Sequence, residues 1–301
     1  MKKLPTVTIG IPAHNEETNI GLLLRDVFEQ DCSLFKLERI IVSSDGSRDR
    51  TVQVVNSLKN SKTVLIDNSQ CKGVATRQNE IVKMTKSDVL VLLNADIRIP
   101  KLDFIANLIA PIVGKAADLT SPLMVERTPR SFIESILEIS TRLKAILFES
   151  WRNGQNGYLC RGSVRAFSQR FYKRLKFKES EGEDMYSYLM CIQNNYSFRY
   201  VKAAYVTYRL PKTLHDHFKQ SVRFFKYQVK FAREFDTDLV NRELKIPLSI
   251  YVKAAFKSLP IIIRAPRLAL GYILIVCVMR IRSTYLVKDN LWDAVSTKTN
   301  A

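Results

Sequence analysis

Histidine and cysteine are scarce in this chain, with three and five residues among 301. Cys32, Cys71, Cys160, Cys191 and Cys277 stand far apart, and none forms a Cys-x-x-Cys pair. An odd, dispersed set argues against a disulfide scaffold or a structural zinc site and fits a reducing compartment. Three histidines are too few for a histidine-rich metal centre. No signal peptide is expected, because Met1 to Pro5 is followed at once by a strand-like run. The longest apolar stretch, Leu268 to Met279, has twelve residues between Arg267 and Arg280. As a helix it reaches about 18 Å against about 30 Å of bilayer hydrocarbon, so no simple transmembrane helix is expected. Zinc-finger spacing and aromatic RNA-binding strands are also missing, and no nucleic acid is expected as a partner.

What the chain does have is basic charge. Its net charge is +18, on an ordinary globular background of 46% hydrophobic and 25% charged residues. Residues 1–160 hold 21 basic and 18 acidic side chains, and residues 161–301 hold 26 and 11. A field this lopsided favours an anionic membrane surface or another polyanion, or the phosphates of small ligands. A solvated basic face is the plain alternative.

The first hundred residues alternate between strand and helix patterns. Val7–Ile11, Arg39–Ser43, Thr63–Asp67 and Val89–Leu93 read as buried strands. Between them the pattern predicts three helices. The first is capped by Asn15 with Glu16 and Glu17 in its first turn, and runs to about Gln30. The second is capped by Ser47 and carries Val52, Val55 and Leu58. The third covers about Val74 to Met84. Such alternation implies a parallel sheet flanked by helices, with ligands at the carboxyl ends of the strands. The loops there hold Asp45, Asp96 and the Glu16–Glu17 pair. A single Asp after a strand is usually a turn residue. Several gathered on one edge repel, and a divalent cation with a preference for oxygen ligands, Mg²⁺ or Mn²⁺, relieves that repulsion.

These segments resemble family 2 glycosyltransferases of the GT-A fold. The opening pattern of that family matches Pro12, Ala13, His14, Asn15 and Glu16. Its Asp-Asp-Gly-Ser loop matches Ser44, Asp45, Gly46 and Ser47. Its Gly-rich stretch leading to Ala-Arg-Asn is approximated by Lys72, Gly73, Ala75, Arg77 and Asn79. Its Asp-x-Asp metal motif corresponds to Asn94, Ala95 and Asp96, and its Gly-Glu-Asp segment to Gly182, Glu183 and Asp184. Gln220, Arg223 and Phe224 approximate its Gln-x-x-Arg-Trp motif. Two positions depart from the pattern: Ser44 and Asn94 each stand where the family has an Asp. Phe224 keeps a flat ring in place of Trp and lacks the indole donor.

The resemblance implies an inverting transfer of a sugar from a nucleoside-diphosphate donor, with a UDP-sugar favoured and GDP-mannose possible. The acceptor is the hydroxyl of a lipid, a lipid-linked glycan or a polysaccharide. Asp96 then carries the metal and Asp184 is the catalytic base. Glu183 beside it orients a substrate hydroxyl or raises the pKa of the base. Asp45 accepts a nucleobase N–H in a pocket lined by Pro12–Glu16, and Arg77 touches base or diphosphate. Arg223 adds a fixed cation near the diphosphate. Gly162 and Ser163 let an acceptor sugar approach the backbone. His215 or His217 is a candidate third metal ligand.

Further along, Ser131 and Glu134 form a capping-box pattern opening an apolar helix to about Trp151. It packs on the sheet, dimerises or meets lipid, with packing the default. The expected organisation is an α/β GT-A domain over 1–240, with the donor half in 1–100 and the acceptor half in 101–240. A basic, apolar helical segment follows over 241–301. Pro260 and Pro266 are expected to break that segment into short helices. Apolar stretches flanked by cations suit the cytoplasmic face of a membrane, in a peripheral or monotopic arrangement. Two rivals stay open at this level: a nucleotidyltransferase, whose Gly-rich N-terminal signature is missing, and a degenerate sugar-nucleotide-binding scaffold.

Overall fold

The computed structural model describes residues 3–178, 182–218, 231 and 233–286, with side chains through residue 276. Gln220, Arg223 and Phe224 lie outside the described residues. Eight strands form one sheet: β1 (Thr6–Ala13), β2 (Lys36–Asp45), β3 (Thr63–Asn68), β4 (Val89–Leu93), β5 (Ile97–Arg98), β6 (Leu119–Glu126), β7 (Val164–Ser168) and β8 (Phe198–Tyr208). Their order is β3-β2-β1-β4-β7-β6-β8-β5. The pairs among β3, β2, β1 and β4 are parallel, whereas β4–β7, β7–β6 and β8–β5 are antiparallel. This is the expected α/β sheet of GT-A type, with helices α1 (Ile20–Phe28), α2 (Thr51–Ser57), α3 (Val74–Met84) and α4 (Phe104–Val113) accompanying its strands.

The runs of Val, Ile and Leu explain the parallel half. Strands buried on both faces need apolar residues at every position, and all five residues of β4 are buried. Each such side chain contributes about 1.5–3 kcal/mol on burial. At Gly10 an added Cβ would meet Ile81 Cγ2 at 2.4 Å and Leu92 Cδ2 at 2.9 Å, so α3 lies directly against β1.

The first two helix starts differ from the pattern. Asn15 is not a cap: it takes φ +56° in a loop, and α1 begins only at Ile20 with no acid in its first turn. Ser47 likewise precedes α2 by a turn. Both polar side chains are engaged between loops, which outcompetes local capping. By contrast, α3 and β4 occupy the predicted spans.

The chain divides into two compact units. The first comprises residues 3–125 and 157–208 and contains the sheet with α6 (Gln169–Tyr172) and α7 (Glu183–Gln193). The second comprises residues 126–156 and the described residues from 209 on. It is helical: α5 (Phe132–Ser150), α8 (Thr237–Leu244), α9 (Leu248–Arg264) and α10 (Pro266–Leu286). Within it α5 packs on α9 and α10. Ser131 caps α5 by accepting the Glu134 N–H at 3.2 Å, while Glu134 Oε2 takes the Arg130 N–H at 2.6 Å. Buried Glu243 of α8 is paired with Arg152 and Arg242.

The expected short C-terminal helices are longer than the prolines suggested. Pro260 sits inside α9 without ending it, and Pro266 opens α10, where a missing N–H costs nothing. At 17 and 21 residues they extend about 26 and 32 Å. Within Thr237–Arg264 one 18-residue window reaches a mean hydropathy of 1.5, apolar enough to cross a membrane by length and composition.

Candidate active site

Register places the polar loops on one sheet edge. Ala13 pairs with Ser44, Gly10 with Leu92, and Leu93 with Val164. The ends of β1, β2 and β4 and the start of β7 therefore share that edge. At about 4.8 Å per strand, Asp45 and Asn94 end strands about 10 Å apart, with Ser163 one strand further. Pro12, Ala13 and Ala95 have buried side chains and contribute backbone to this edge.

The two loops after β1 and β2 are laced together. Asn15 N–H donates to Ser47 Oγ at 3.1 Å and Arg48 N–H to Asn15 Oδ1 at 2.8 Å. Glu16 N–H donates to Thr51 Oγ1 at 2.7 Å and Glu17 N–H to Asp49 Oδ2 at 3.1 Å. Glu16 accepts from Asn19, and Glu17 pairs with Arg50. Ser44, where the family has Asp, is fully buried, and its hydroxyl bonds to that of Ser47 at 3.1 Å. The acids of these loops are thus balanced by donors of the chain itself.

Asp45 is 5% exposed and accepts from four donors. Lys72 N–H and Arg77 Nε reach Oδ1 at 2.8 and 2.7 Å, while Gly73 N–H and the Cys71 thiol reach Oδ2 at 2.8 and 3.2 Å. Burial alone raises its pKa. The bonds from Lys72, Arg77, Cys71 and Gly73 outweigh burial and hold the carboxyl below the ordinary value. Cys71 is raised by burial and by Asp45, so its thiol keeps the proton that it donates. Gly46 makes the turn possible: its φ is +64°, and a Cβ there would lie 2.8 Å from Cys71 N. Arg77, 1% exposed, also bonds Glu80 and the Gln70 carbonyl at 3.1 Å. Its guanidinium is committed to holding Asp45 and the 70–73 loop.

His14, Asp45 and Cys71 each bring a ligand-type atom within 4.8 Å of the others, a spacing that a metal ion could accept. Their bonding fits a different role. His14 Nδ1 bonds the Asp45 carbonyl at 2.6 Å, its Nε2 bonds Asn15 Nδ2 at 3.0 Å, and the Arg77 cation already sits on Asp45. These bonds tie the ends of β1 and β2 to the loop that precedes α3.

The second cluster links β4, β7 and α7. Asn94 N–H donates to the Ser163 carbonyl at 2.8 Å, tying the Asn94–Asp96 turn to the Gly162–Ser163 turn. Gly162 N–H donates to Asp184 Oδ2 at 3.2 Å, and the other Asp184 oxygen takes the Met185 N–H at 2.8 Å. A Cβ on Gly162 would stand 3.2 Å from Glu183 Oε1 and 3.4 Å from Asp184 Oδ2. Glu183 and Asp184 open α7 after Gly182 at φ +90°, where the helix dipole favours acids. Below them Arg165, with no exposed surface, donates to the Glu183 carbonyl at 2.7 Å and Ser187 Oγ at 3.0 Å. Its guanidinium lies 5.7 and 5.5 Å from the ring centres of Phe167 and Phe177. Asn79 exchanges two bonds with the Phe177 backbone, at 2.7 and 2.9 Å. In the second unit, His217 is pushed down to about 4 by burial and by Lys144, and is neutral at pH 7.

Sequence reasoning missed Cys71, Glu80 and Arg165. The Arg77–Glu80 spacing of three was a readable signal. Nothing in the pattern marks Arg165, because an alternating strand normally hides apolar residues there.

The architecture defines a GT-A protein. It overlays the mannosyltransferase PcManGT of Pyrobaculum calidifontis, solved with GDP-Man and Mn²⁺, at a TM-score of 0.65 and 18% identity, covering 94% of this chain and 84% of that one. It overlays glucosyl-3-phosphoglycerate synthase of Mycobacterium tuberculosis, solved with Mn²⁺, UDP and phosphoglyceric acid, at 0.55 and 17%, covering 81% and 80%. By sequence, 90 residues are 31% identical to WfaP of Escherichia coli, a UDP-Glc:alpha-D-GlcNAc-diphosphoundecaprenol beta-1,3-glucosyltransferase. That match spans 30% of this chain and about a third (35%) of WfaP. The sequence model of Glycosyl transferase family 2 matches residues 8–179, and the chain belongs to that family.

Proposed function

We propose that the chain transfers a sugar from a nucleoside-diphosphate donor to a hydroxyl acceptor, with inversion at the anomeric carbon. The observation that carries this reading is a pair of backbone N–H donations, from Asn94 to the Ser163 carbonyl and from Gly162 to the Asp184 carboxylate. They bring a metal-type turn, a small-residue surface and a carboxylate onto one sheet edge. In this reading Asp184 takes the proton of the acceptor hydroxyl while Glu183 orients a sugar hydroxyl. Gly162 and Ser163 admit the acceptor, and the His14–Asn15 and Asp45 loops hold the base. Arg77 acts through Asp45. Gln220, Arg223 and Phe224 are assigned to the diphosphate side by motif alone.

Asp96, in the turn after β4, offers a carboxylate, the hard oxygen ligand that a divalent cation prefers. Asp96 would hold Mg²⁺ or Mn²⁺, which when bound supplies Lewis-acid stabilisation of the leaving diphosphate. The Mn²⁺-bound GT-A structures support this.

The acceptor is proposed to be lipid-linked, as in the name of WfaP. The second unit supports a place at a membrane. Leu248, Val252, Phe256, Leu259 and Ile263 recur every three or four residues on α9 at 78, 49, 69, 46 and 73% exposure. Lys253, Lys257 and Arg264 stand on the same helix. We assign this face to the headgroup region of an anionic, cytoplasm-facing leaflet. Flotation with anionic liposomes at low and high salt tests it, and loss of binding in both would end it.

Turnover of a UDP- and GDP-sugar panel with Mn²⁺ tests the activity. Wild type is expected to release nucleotide, while Asp96→Ala and Asp184→Ala are expected not to. Proton NMR of the first product is expected to show β linkage from an α donor. Tight nucleotide binding without turnover on any acceptor would favour the scaffold reading.

A further inference from the structure

A cation is the least expected occupant of β7. All five residues of that strand are buried, and Arg165 pairs with Leu92 of β4, at a position that calls for an apolar side chain. Its side chain has no exposed surface. Nη1 donates to the Glu183 carbonyl at 2.7 Å and to Ser187 Oγ at 3.0 Å, and Ser187 in turn donates to the Asp184 carbonyl at 2.8 Å. Nε and Nη2 make no hydrogen bond among the described residues. Glu183 Oε1 stands 4.0 Å from Nη2, outside hydrogen-bond reach. Three features of this arrangement work against stability. Burial strips water from a full charge. Two guanidinium nitrogens gain no bond in exchange. The charge also lies at the N-terminus of α7, where the helix dipole disfavours cations. The Phe167 and Phe177 rings, at 5.7 and 5.5 Å, offset only part of this.

What the guanidinium does supply is order at the start of α7. The two carbonyls that it holds, one directly and one through Ser187, belong to Glu183 and Asp184. The carboxylates of the same two residues converge: Glu183 Oε1 and Asp184 Oδ2 lie 3.2 and 3.4 Å from the place of a Cβ on Gly162. Neighbouring carboxylates repel, and a positive charge fixed beneath them offsets that repulsion. We infer that Arg165 is a positioning residue for the transfer step: it anchors the backbone of Glu183 and Asp184 and supplies the fixed charge that keeps their carboxylates together over Gly162. This rests on the glycosyltransferase reading above. A base must stand within hydrogen-bond reach of the acceptor hydroxyl, and a misplacement of about 1 Å costs up to about 100-fold in rate. A device that opposes stability and acts on two candidate catalytic groups has the character of a functional site.

The test compares wild type, Arg165→Met and Arg165→Lys as full chains. The readouts are initial rates of nucleotide release from UDP-glucose and GDP-mannose with Mn²⁺ over a panel of hydroxyl acceptors, UDP affinity by calorimetry, and thermal melts. Methionine fills the apolar space and strands no hydrogen-bonded carboxylate. Arg165→Met is therefore expected to melt no lower than about 3 °C below wild type. Its kcat is expected to fall about 10–100-fold while donor KM and UDP affinity stay within about 2-fold. Arg165→Lys returns a compact charge and is expected to recover most of the lost kcat. A steep drop in melting temperature with kcat unchanged makes Arg165 a structural residue and overturns the inference. A parallel loss of UDP affinity overturns it, as does a lysine variant no faster than the methionine one. Wild-type turnover with a normal Arg165→Met rate overturns this inference alone. Absence of wild-type turnover on every acceptor overturns both it and the glycosyltransferase reading.

Discussion

Asp45 ends β2 and Asp184 opens α7, and the fold holds the two carboxylates in opposite ways. Asp45 is nearly sealed, with four donors on two oxygens and a guanidinium beside it. Asp184 is half-exposed, holds two backbone N–H bonds, and sits against a residue with no side chain. A saturated carboxylate is a fastener: it fixes the 70–73 loop and the start of α3. A carboxylate with accessible lone pairs beside a glycine can receive a proton from something that enters. The difference shows that a polar loop after a strand acquires its role from how many of its lone pairs the fold consumes.

The sharpest break of this comparison is Asp184→Asn. Transfer is expected to fall about 10²–10⁴-fold while UDP affinity and melting temperature hold. A residual rate near wild type would remove Asp184 from the chemistry. Arg77→Met tests the other side. It strands a buried carboxylate, and about 3–5 kcal/mol of unfolding free energy is expected to be lost in denaturant titration. An unchanged midpoint would mean that Asp45 is held by its amides alone. Gly162→Ala adds a methyl beside the flexible end of Glu183. We expect about 10-fold slower transfer with stability within about 1 kcal/mol, measured by initial rates and thermal melts.

The smallest effect is in acid. Because folding depresses the Asp45 pKa, its stabilising contribution is complete above the ordinary value of 3.8 and disappears as pH falls through the lower folded value. Melting curves from about pH 5 to about pH 2.5, a range that spans the ordinary carboxylate value, are expected to fall more steeply for wild type than for Asp45→Asn.

Much of the sheet was legible in advance. Val89–Leu93 and Val74–Met84 were readable because five consecutive buried apolar residues and an amphipathic stripe each have one stable home. The starts of α1 and α2 were not. Asn15 and Ser47 have cap chemistry, and only the neighbouring loop, over thirty residues away in sequence, shows that they bond each other. The same holds for α5, whose apolar face packs on α9 and α10 and shares their unit. Composition can announce such a face without naming its partner. At the candidate site, pattern and resemblance pointed to Asp45, Asp96, Gly162 and Asp184, while Cys71, Glu80 and Arg165 emerge only from contacts with Asp45, Arg77 and Glu183.

Residue order alone determined the alternation of strands and helices, and hence that polar loops gather at the carboxyl ends of parallel strands, because period and chirality leave little choice. Tertiary packing alone decided which carboxylate is used up as a fastener and which stays available. Hydrogen-bond saturation depends on donors brought from distant segments, and no local pattern records their arrival.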